Sequence, residues 1–243
     1  MYLISTAKIQ KNPDLTKETG IFVFLHPETK NVQKMNKPTT GEVIQQVASG
    51  LFRKFGFEKT SMDDIAQKAH KAKRSIYNYF SNKEELFCTT VISEIDHIQQ
   101  RLAETVAGDE QPVLPRLRQY LLARVKLIAE AGTLQVAMKD KHLEGNDFRF
   151  DNLRNRMAKF SDWEHQLFKK VWYAKPTNDP PATVEQQAVA FADMLSVTLN
   201  GLSHTFFVED KYEQYKPSYE MLIDLIVNSV FVQFAGHDEA MRR

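Results

Sequence analysis

The sequence predicts an all-α protein, and three features predict it. Glycine and proline number only nine each in 243 residues, so few positions interrupt a regular backbone. Leu, Ala, Lys, Glu, Gln and Met recur at helical spacings, within a composition that is 42% hydrophobic and 26% charged. Side chains that cap helix N-termini stand directly ahead of several of the periodic runs. The chain is long enough to bury a core and to make one or two domains.

Residues 1–34 show no sustained period. Their longest apolar run, residues 21–25 (IFVFL), is too short for a signal-peptide core or a membrane span, so a cytoplasmic protein is expected. Met35 precedes NKPTTGEVIQ, which reads like the opening of a compact domain. Residues 1–35 are therefore either untranslated, with Met35 as the start, or an extension that is disordered or touches DNA as a basic arm.

From Thr39 the signals sharpen. Thr39 and Glu42 fit a capping box, and Val43, Val47, Leu51 and Phe55 then repeat every four residues, predicting a first helix stopped by Gly56 at a C′ position. Ser61 is the expected N-cap of a short second helix with Asp63 and Asp64 in its first turn and Ile65, Ala66 and Ala69 on its apolar face. After a brief turn a third helix should run from Lys73 to about Phe80. Asn82, with Glu85 at N3, should then open a long fourth helix reaching about Val106. Breaks at 108–112, 131–132, 144–147, 175–181 and 215–217 divide the remainder into helical segments, without internal repeats.

Net charge is only +1, but it is unevenly spread: residues 1–35 carry +2, residues 36–86 carry +3 and residues 87–243 carry −4. The basic excess is densest in AHKAKRSIYNYF, residues 69–80, where His70, Lys71, Lys73 and Arg74 stand just before Tyr77, Tyr79 and Phe80. At about 100° per residue, Ile76 and Phe80 share the inward face of the third helix, while Arg74, Ser75 and Asn78 face outward. Cations in a helix's first turn oppose the macrodipole, at about 0.3–1 kcal/mol each, so stability does not ask for them. A polyanion does. Arg74 offers a bidentate donor suited to guanine, Asn78 an amide suited to adenine and Ser75 a small hydroxyl; Lys73 and Tyr77 flank them as phosphate partners.

Residues 56–87, GFEKTSMDDIAQKAHKAKRSIYNYFSNKEELF, resemble the DNA-binding domain of TetR-type transcriptional regulators through Gly56, Thr60, Ser61, Ile65, Ala66, Ala69, Tyr77, Tyr79, Phe80, Lys83 and Leu86. The resemblance implies a helix-turn-helix from about Ser61 to Phe80, with DNA contacts at Thr60, Ser61, Lys73, Arg74, Ser75, Tyr77, Tyr79 and Lys83, the last gripping a phosphate at the start of helix four. The sequence departs from the family pattern at His70 (usually glycine), Lys71 (valine), Ala72 (the N-cap serine) and Arg74 (often glycine). His70 must adopt a left-handed conformation at C′, and Ala72 leaves helix three without a side-chain cap. The implied organisation is an N-terminal three-helix DNA-binding domain at 36–87, after the extension 1–35, followed by a C-terminal helical domain at 88–243. The latter would bind a small-molecule inducer and pair into a homodimer through its last two helices. The expected function is a ligand-responsive repressor acting on a double-stranded DNA operator. The alternative is a helical ligand-binding or partner-interaction protein with a degenerate DNA-binding domain.

For the ligand, the aromatic-rich stretch 148–173 nominates Phe160, Trp163, Phe168 and Trp172 as pocket residues. For the dimer, Val184, Ala188, Phe191, Leu195, Leu202 and Phe206, with the small residues Ala192, Ser196 and Gly201, would pack with Met221, Leu222, Leu225, Ile226, Ser229 and Val230. No catalytic residue, cofactor or metal is expected. The nucleophile-elbow, zincin, P-loop and dinucleotide signatures do not occur, and Glu164, His165 and His204 read as surface or buried polar residues. Residues 140–151 mimic a calcium loop with Asp140, Glu144, Gly145 and Asp151, but His142 and the short Asp151 argue against it. The single cysteine, Cys88, reads as a small apolar helix residue.

Overall fold

The computed structural model describes residues 38–107, 112–140 and 147–240. The expected N-terminal extension, most of the 108–112 break and the interior of the calcium-like loop lie outside the described residues.

Helix α1, Thr40–Lys59, opens with the predicted capping box: Thr39 Oγ1 accepts from Glu42 N at 3.3 Å, and Glu42 Oε2 accepts from Thr39 N at 2.7 Å. Its buried stripe is Ile44, Ala48 and Phe52, one position round from the predicted repeat. Val43, Val47 and Leu51 are half-buried and Phe55 is exposed. The difference arises because periodicity alone does not say which edge of a broad apolar face the neighbouring helices cover. Gly56 interrupts the helical backbone where the sequence predicts a stop. At φ 82° and ψ 170° it makes a kink, beyond which a further short helical stretch runs to Lys59.

Helices α2 (Met62–Lys68) and α3 (Lys73–Tyr77) are short. Ser61 caps α2 reciprocally with Asp64, whose carboxyl lies below its ordinary range because the Ser61 hydroxyl and amide both donate to it. Helix α3 is shorter than predicted, though Phe80 N still donates to Ile76 O at 3.0 Å. Helix α4, Lys83–Val106, is capped by Asn82, whose Oδ1 accepts from Glu85 N at 2.7 Å. Its 24 residues span about 36 Å. Its buried residues run from Leu86 to Leu102. It carries the chain past residue 87 without a break, and one hydrophobic cluster extends from Ile44 to Val230. The division at 87/88 therefore marks a change of role that we propose, not a gap in the core.

The rest comprises α5 (Val113–Glu130), α6 (Gly132–Met138), a 3₁₀ turn (Phe148–Phe150), α7 (Asp151–Tyr173), α8 (Pro181–Ser203), a π turn (His204–Val208), α9 (Tyr212–Tyr215) and α10 (Tyr219–Ala240). Helices α7 and α8 form an antiparallel pair, bridged by His165–Asp193 at 2.9 Å and Lys169–Glu185 at 2.6 Å. Helix α10 packs on α5 through Ile223, Val227 and Val230, with Arg118 Nε donating to Asp224 at 2.6 Å.

Two polar seams tie the N-terminal helices to the rest. In the first, the Glu94 carboxylate accepts from Thr133 N, Leu134 N and Ser49 Oγ at 3.3, 2.8 and 3.3 Å, while Ser49 and Thr133 share a hydrogen bond of 2.8 Å. This joins α1, α4 and α6. In the second, Arg149 pairs with Glu84 at 2.7 Å, and the Phe150 ring meets Phe57 edge-on at 5.9 Å.

Candidate nucleic-acid interface and interior cavities

Between α2 and α3 the chain turns on His70, at φ 52° in the left-handed region, as its place in the sequence requires. Lys71 N donates to Ala66 O at 3.0 Å, closing the C-terminus of α2. Ala72 provides no side-chain cap, so the first amide groups of α3 have no side-chain acceptor from it. Ile76 is fully buried and Phe80 nearly so, and they root α3 in the core. Lys73, Arg74, Tyr77, Asn78 and Tyr79 are exposed and Ser75 is half-buried. The outward set predicted from the helical wheel is thus on one accessible surface.

Its members are not equivalent. The Arg74 side chain makes no ion pair or hydrogen bond among the described residues. Lys73 is bound to Asp63 of α2 at 2.8 Å, which raises its pKa through that hydrogen bond. The pair is exposed on both sides, so it competes weakly with a phosphate. Tyr79 packs beside Gly41 at the start of α1. Ser61 remains exposed, but its hydroxyl is engaged with Asp64 at 2.6 Å.

Two of the expected contact residues are engaged within the chain. Thr60 is only 3% exposed and its hydroxyl donates to Gly56 O at 2.8 Å, closing the kinked end of α1 instead of facing outward. Lys83 is turned into the fold: Nζ donates to Phe57 O at 3.0 Å and sits 4.3 Å from the centre of the Phe57 ring. The kink at Gly56 presents that carbonyl and ring to Lys83, a relation across 26 residues that local pattern does not reveal.

The aromatic stretch divides likewise. Trp163 lines a cavity of about 510 Å³ between α4, α5 and α7, and Phe160, stacked on Trp163 at 5.8 Å, lines a smaller one of about 110 Å³. Phe168 is fully buried edge-on to Tyr120, and Trp172 packs against Phe191 and Phe234, so neither lines either cavity. Between the two cavities Arg124 and Glu164 form a buried pair, Nε to Oε1 at 2.6 Å and Nη2 to Oε2 at 3.1 Å. Arg124 Nη1 also donates to Ser203 Oγ at 2.9 Å, and the Tyr120 hydroxyl donates to Glu164. Burial and the neighbouring carboxylate push the Tyr120 phenol far above its ordinary pKa. Sequence reasoning read Glu164 as isolated because its partners stand 40 and 44 residues away on another helix. Arg116 and Lys170, which line the larger cavity, were missed because cations on amphipathic helices are read as solvated.

The residues expected at a dimer surface divide: Met221, Leu222, Leu225 and Ser229 of α10 are exposed, while others are not. Ala188, Ala192, Leu195, Phe206 and Val230 are buried within the chain. The apolar residues left outside are Met194 and Val197 on α8 and Met221, Leu222, Leu225, Phe231 and Val232 on α10. Among the described residues no helix is long and apolar enough to cross a membrane.

Comparison with known proteins places this geometry in context. Residues 44–88 match the family model for bacterial regulatory proteins of the tetR family. The HTH-type transcriptional regulator YhgD of Bacillus subtilis is 34% identical over 74 residues, 30% of this chain and 37% of that protein. The probable acrEF/envCD operon repressor of Escherichia coli is 27% identical over 100 residues, 41% of this chain and 46% of that protein. The chain thus matches less than half the length of these curated relatives. A TetR transcriptional regulator from Legionella pneumophila superposes with a TM-score of 0.58 at 18% identity, over 79% of this chain and 99% of that one, which shows a shared fold. Residues 44–88 thus build a helix-turn-helix similar to the tetR-family segment, and 79% of the chain shares the fold of a solved TetR regulator.

Proposed function

We propose that this protein is a sequence-specific DNA-binding transcription regulator that acts as a homodimeric repressor and loses operator affinity when a small molecule enters its C-terminal region. The observation that carries the reading is the outward face of α3. Arg74 and Asn78 stand exposed beside Tyr77 and Lys73, on a helix whose other face is anchored by Ile76. That is the arrangement of a helix entering the major groove, with a bidentate donor and an amide at base height and phosphate partners at its edges. The name of the Escherichia coli relative supports repression over activation.

Met194, Val197, Thr198 and Gly201 repeat at i, i+3, i+4 and i+7 on α8, and Met221, Leu222 and Leu225 answer them on α10. All are exposed in the single chain. A second copy covering this stripe makes a four-helix interface and presents two α3 helices to half-sites about one DNA turn apart. The cavity lined by Trp163 supplies the inducer site. A ligand that binds better to a conformer with displaced α3 helices lowers DNA affinity by that difference.

Selection of bound fragments from genomic DNA, followed by titration at several salt concentrations, tests the reading. Expected is a palindromic site bound two chains per duplex, with log affinity falling by about 0.9 per neutralised phosphate for each unit of log salt. No enriched sequence, or salt-insensitive binding, overturns it in favour of a ligand-binding protein without operator recognition.

A further inference from the structure

We infer that the smaller cavity, where α4, α5, α6, α7 and α8 converge, takes a small neutral carbonyl compound, held through its oxygen by Arg124 and Ser203. This site is distinct from the cavity lined by Trp163, and the inference stands whether or not that cavity takes an inducer.

The smaller cavity holds about 110 Å³. A cavity of ~150 Å³ takes a benzene ring, so this one suits a body of about five non-hydrogen atoms. Ile95, Ile98, Ile128 and Leu134 wall it with branched carbon, and Met138 and Met157 add side chains that adapt to the shape of a guest. Ser161 and Asn200, exposed on α7 and α8, mark its mouth. The buried polar part of the lining is Arg124 with Ser203, 4% and 7% exposed.

The chemistry of that pair selects the guest. A guanidinium carries five N–H groups. Two of those on Arg124 go to Glu164 and one to Ser203 Oγ, which leaves one on each terminal nitrogen without a hydrogen bond among the described residues. Ser203 Oγ accepts from Arg124, and among the described residues no hydrogen bond uses its own proton. The site therefore offers donors. Its charge is already balanced, because the Glu164 carboxylate binds Arg124 through both oxygens. A carboxylate guest would set a second anion beside Glu164, and the described lining has no second cation. An ammonium guest would face Arg124. Either ion leaves water without gaining a counter-charge, whereas a carbonyl oxygen accepts two hydrogen bonds and asks for no acceptor in return.

The full chain, methyl-labelled at methionine for NMR, is titrated with 2-butanone and with three molecules of the same size and shape: 2-methylbutane, propionate and the sec-butylammonium ion. Met138 and Met157, among eight methionines, report from the cavity wall and are assigned with Met138→Leu and Met157→Leu. Expected are shifts at both with 2-butanone, and binding of propionate and of the ammonium weaker by about tenfold or more, the scale of one hydrogen bond to a charged donor. In Arg124→Met/Glu164→Leu the ketone should lose about tenfold while 2-methylbutane binds no more weakly than in the parent chain. Ser203→Ala keeps the ion pair, should weaken the ketone and spare the hydrocarbon, and carries the comparison if the double variant does not fold. Propionate bound as tightly as 2-butanone overturns the inference. So does a ketone affinity that survives in the double variant or, where that variant does not fold, in Ser203→Ala. A response confined to methionines other than Met138 and Met157 overturns the location. No response to the ketone at its solubility limit overturns the whole inference and leaves the donors to water.

Discussion

Removal of one partner from the buried Arg124–Glu164 pair should destabilise the protein far more than removal of both. The side chains are 5% and 7% exposed, and the carboxylate accepts three hydrogen bonds, two from Arg124 and one from Tyr120. In Glu164→Leu, Arg124 keeps only Ser203 among these partners and remains a buried cation without a counter-charge. Such a state costs about 3–5 kcal/mol, whereas replacing a whole buried pair with apolar side chains of similar volume is often neutral or stabilising. For a protein of this size each kcal/mol shifts Tm by about 2–4 °C, so Glu164→Leu should melt about 6–20 °C lower. Arg124→Met/Glu164→Leu should recover most of that loss. The assay is a double-mutant cycle by calorimetry, supported by urea unfolding, at one fixed chain concentration because self-association adds to apparent stability. A double variant as unstable as the sum of the singles, with a coupling near zero, would refute the reasoning and show Arg124 and Glu164 to be independently solvated.

Four further outcomes follow from particular residues. Arg74→Ala should relax base preference at one operator position and cost about 1–3 kcal/mol in DNA affinity, read by competition binding; unchanged affinity and preference would remove Arg74 from base reading. Gly56→Ala should destabilise by about 1–3 kcal/mol in urea unfolding, because φ 82° with ψ 170° is a glycine conformation and no neighbouring atom lies within 4 Å of the added methyl to explain the loss by contact. Val197→Glu combined with Leu225→Glu should shift light scattering toward the mass of one chain, and with it abolish tight operator binding; an unchanged mass would place the interface elsewhere. Burial first, and Glu84 second, push the Cys88 thiol up to about 11, so it should react slowly with a thiol reagent at pH 8 and quickly once the chain is unfolded. Since the folded thiol holds its proton longer than the unfolded one, its contribution to stability is complete below pH 9 and is lost toward pH 11; equal native and unfolded reaction rates would contradict this burial.

What the sequence determined by itself is what depends on neighbours along the chain. Capping pairs three residues apart placed the starts of α1 and α4, the N-cap Ser61 placed that of α2, and α4 ends at Val106 as predicted. The missing cap at Ala72 and the left-handed His70 were legible through the resemblance, which assigns each residue its place in the turn. So was the division of α3 into an inward Ile76 and an outward Arg74 and Asn78, because a helix converts spacing into direction. What only the tertiary structure decided is what depends on which helix lies opposite. Lys83 turns to a carbonyl 26 residues away, and Thr60 folds back on the kink at Gly56. Glu164 finds Arg124 and Tyr120, Arg116 shares a cavity with Lys170, and the outer stripe of α8 is Met194 and Val197 where the pattern suggested Ala188 and Leu195. An amphipathic period states that a helix has a buried side. The partner that buries it, and therefore whether a charge on its edge meets water, a carboxylate or a cavity, is set by helix packing that no single segment encodes.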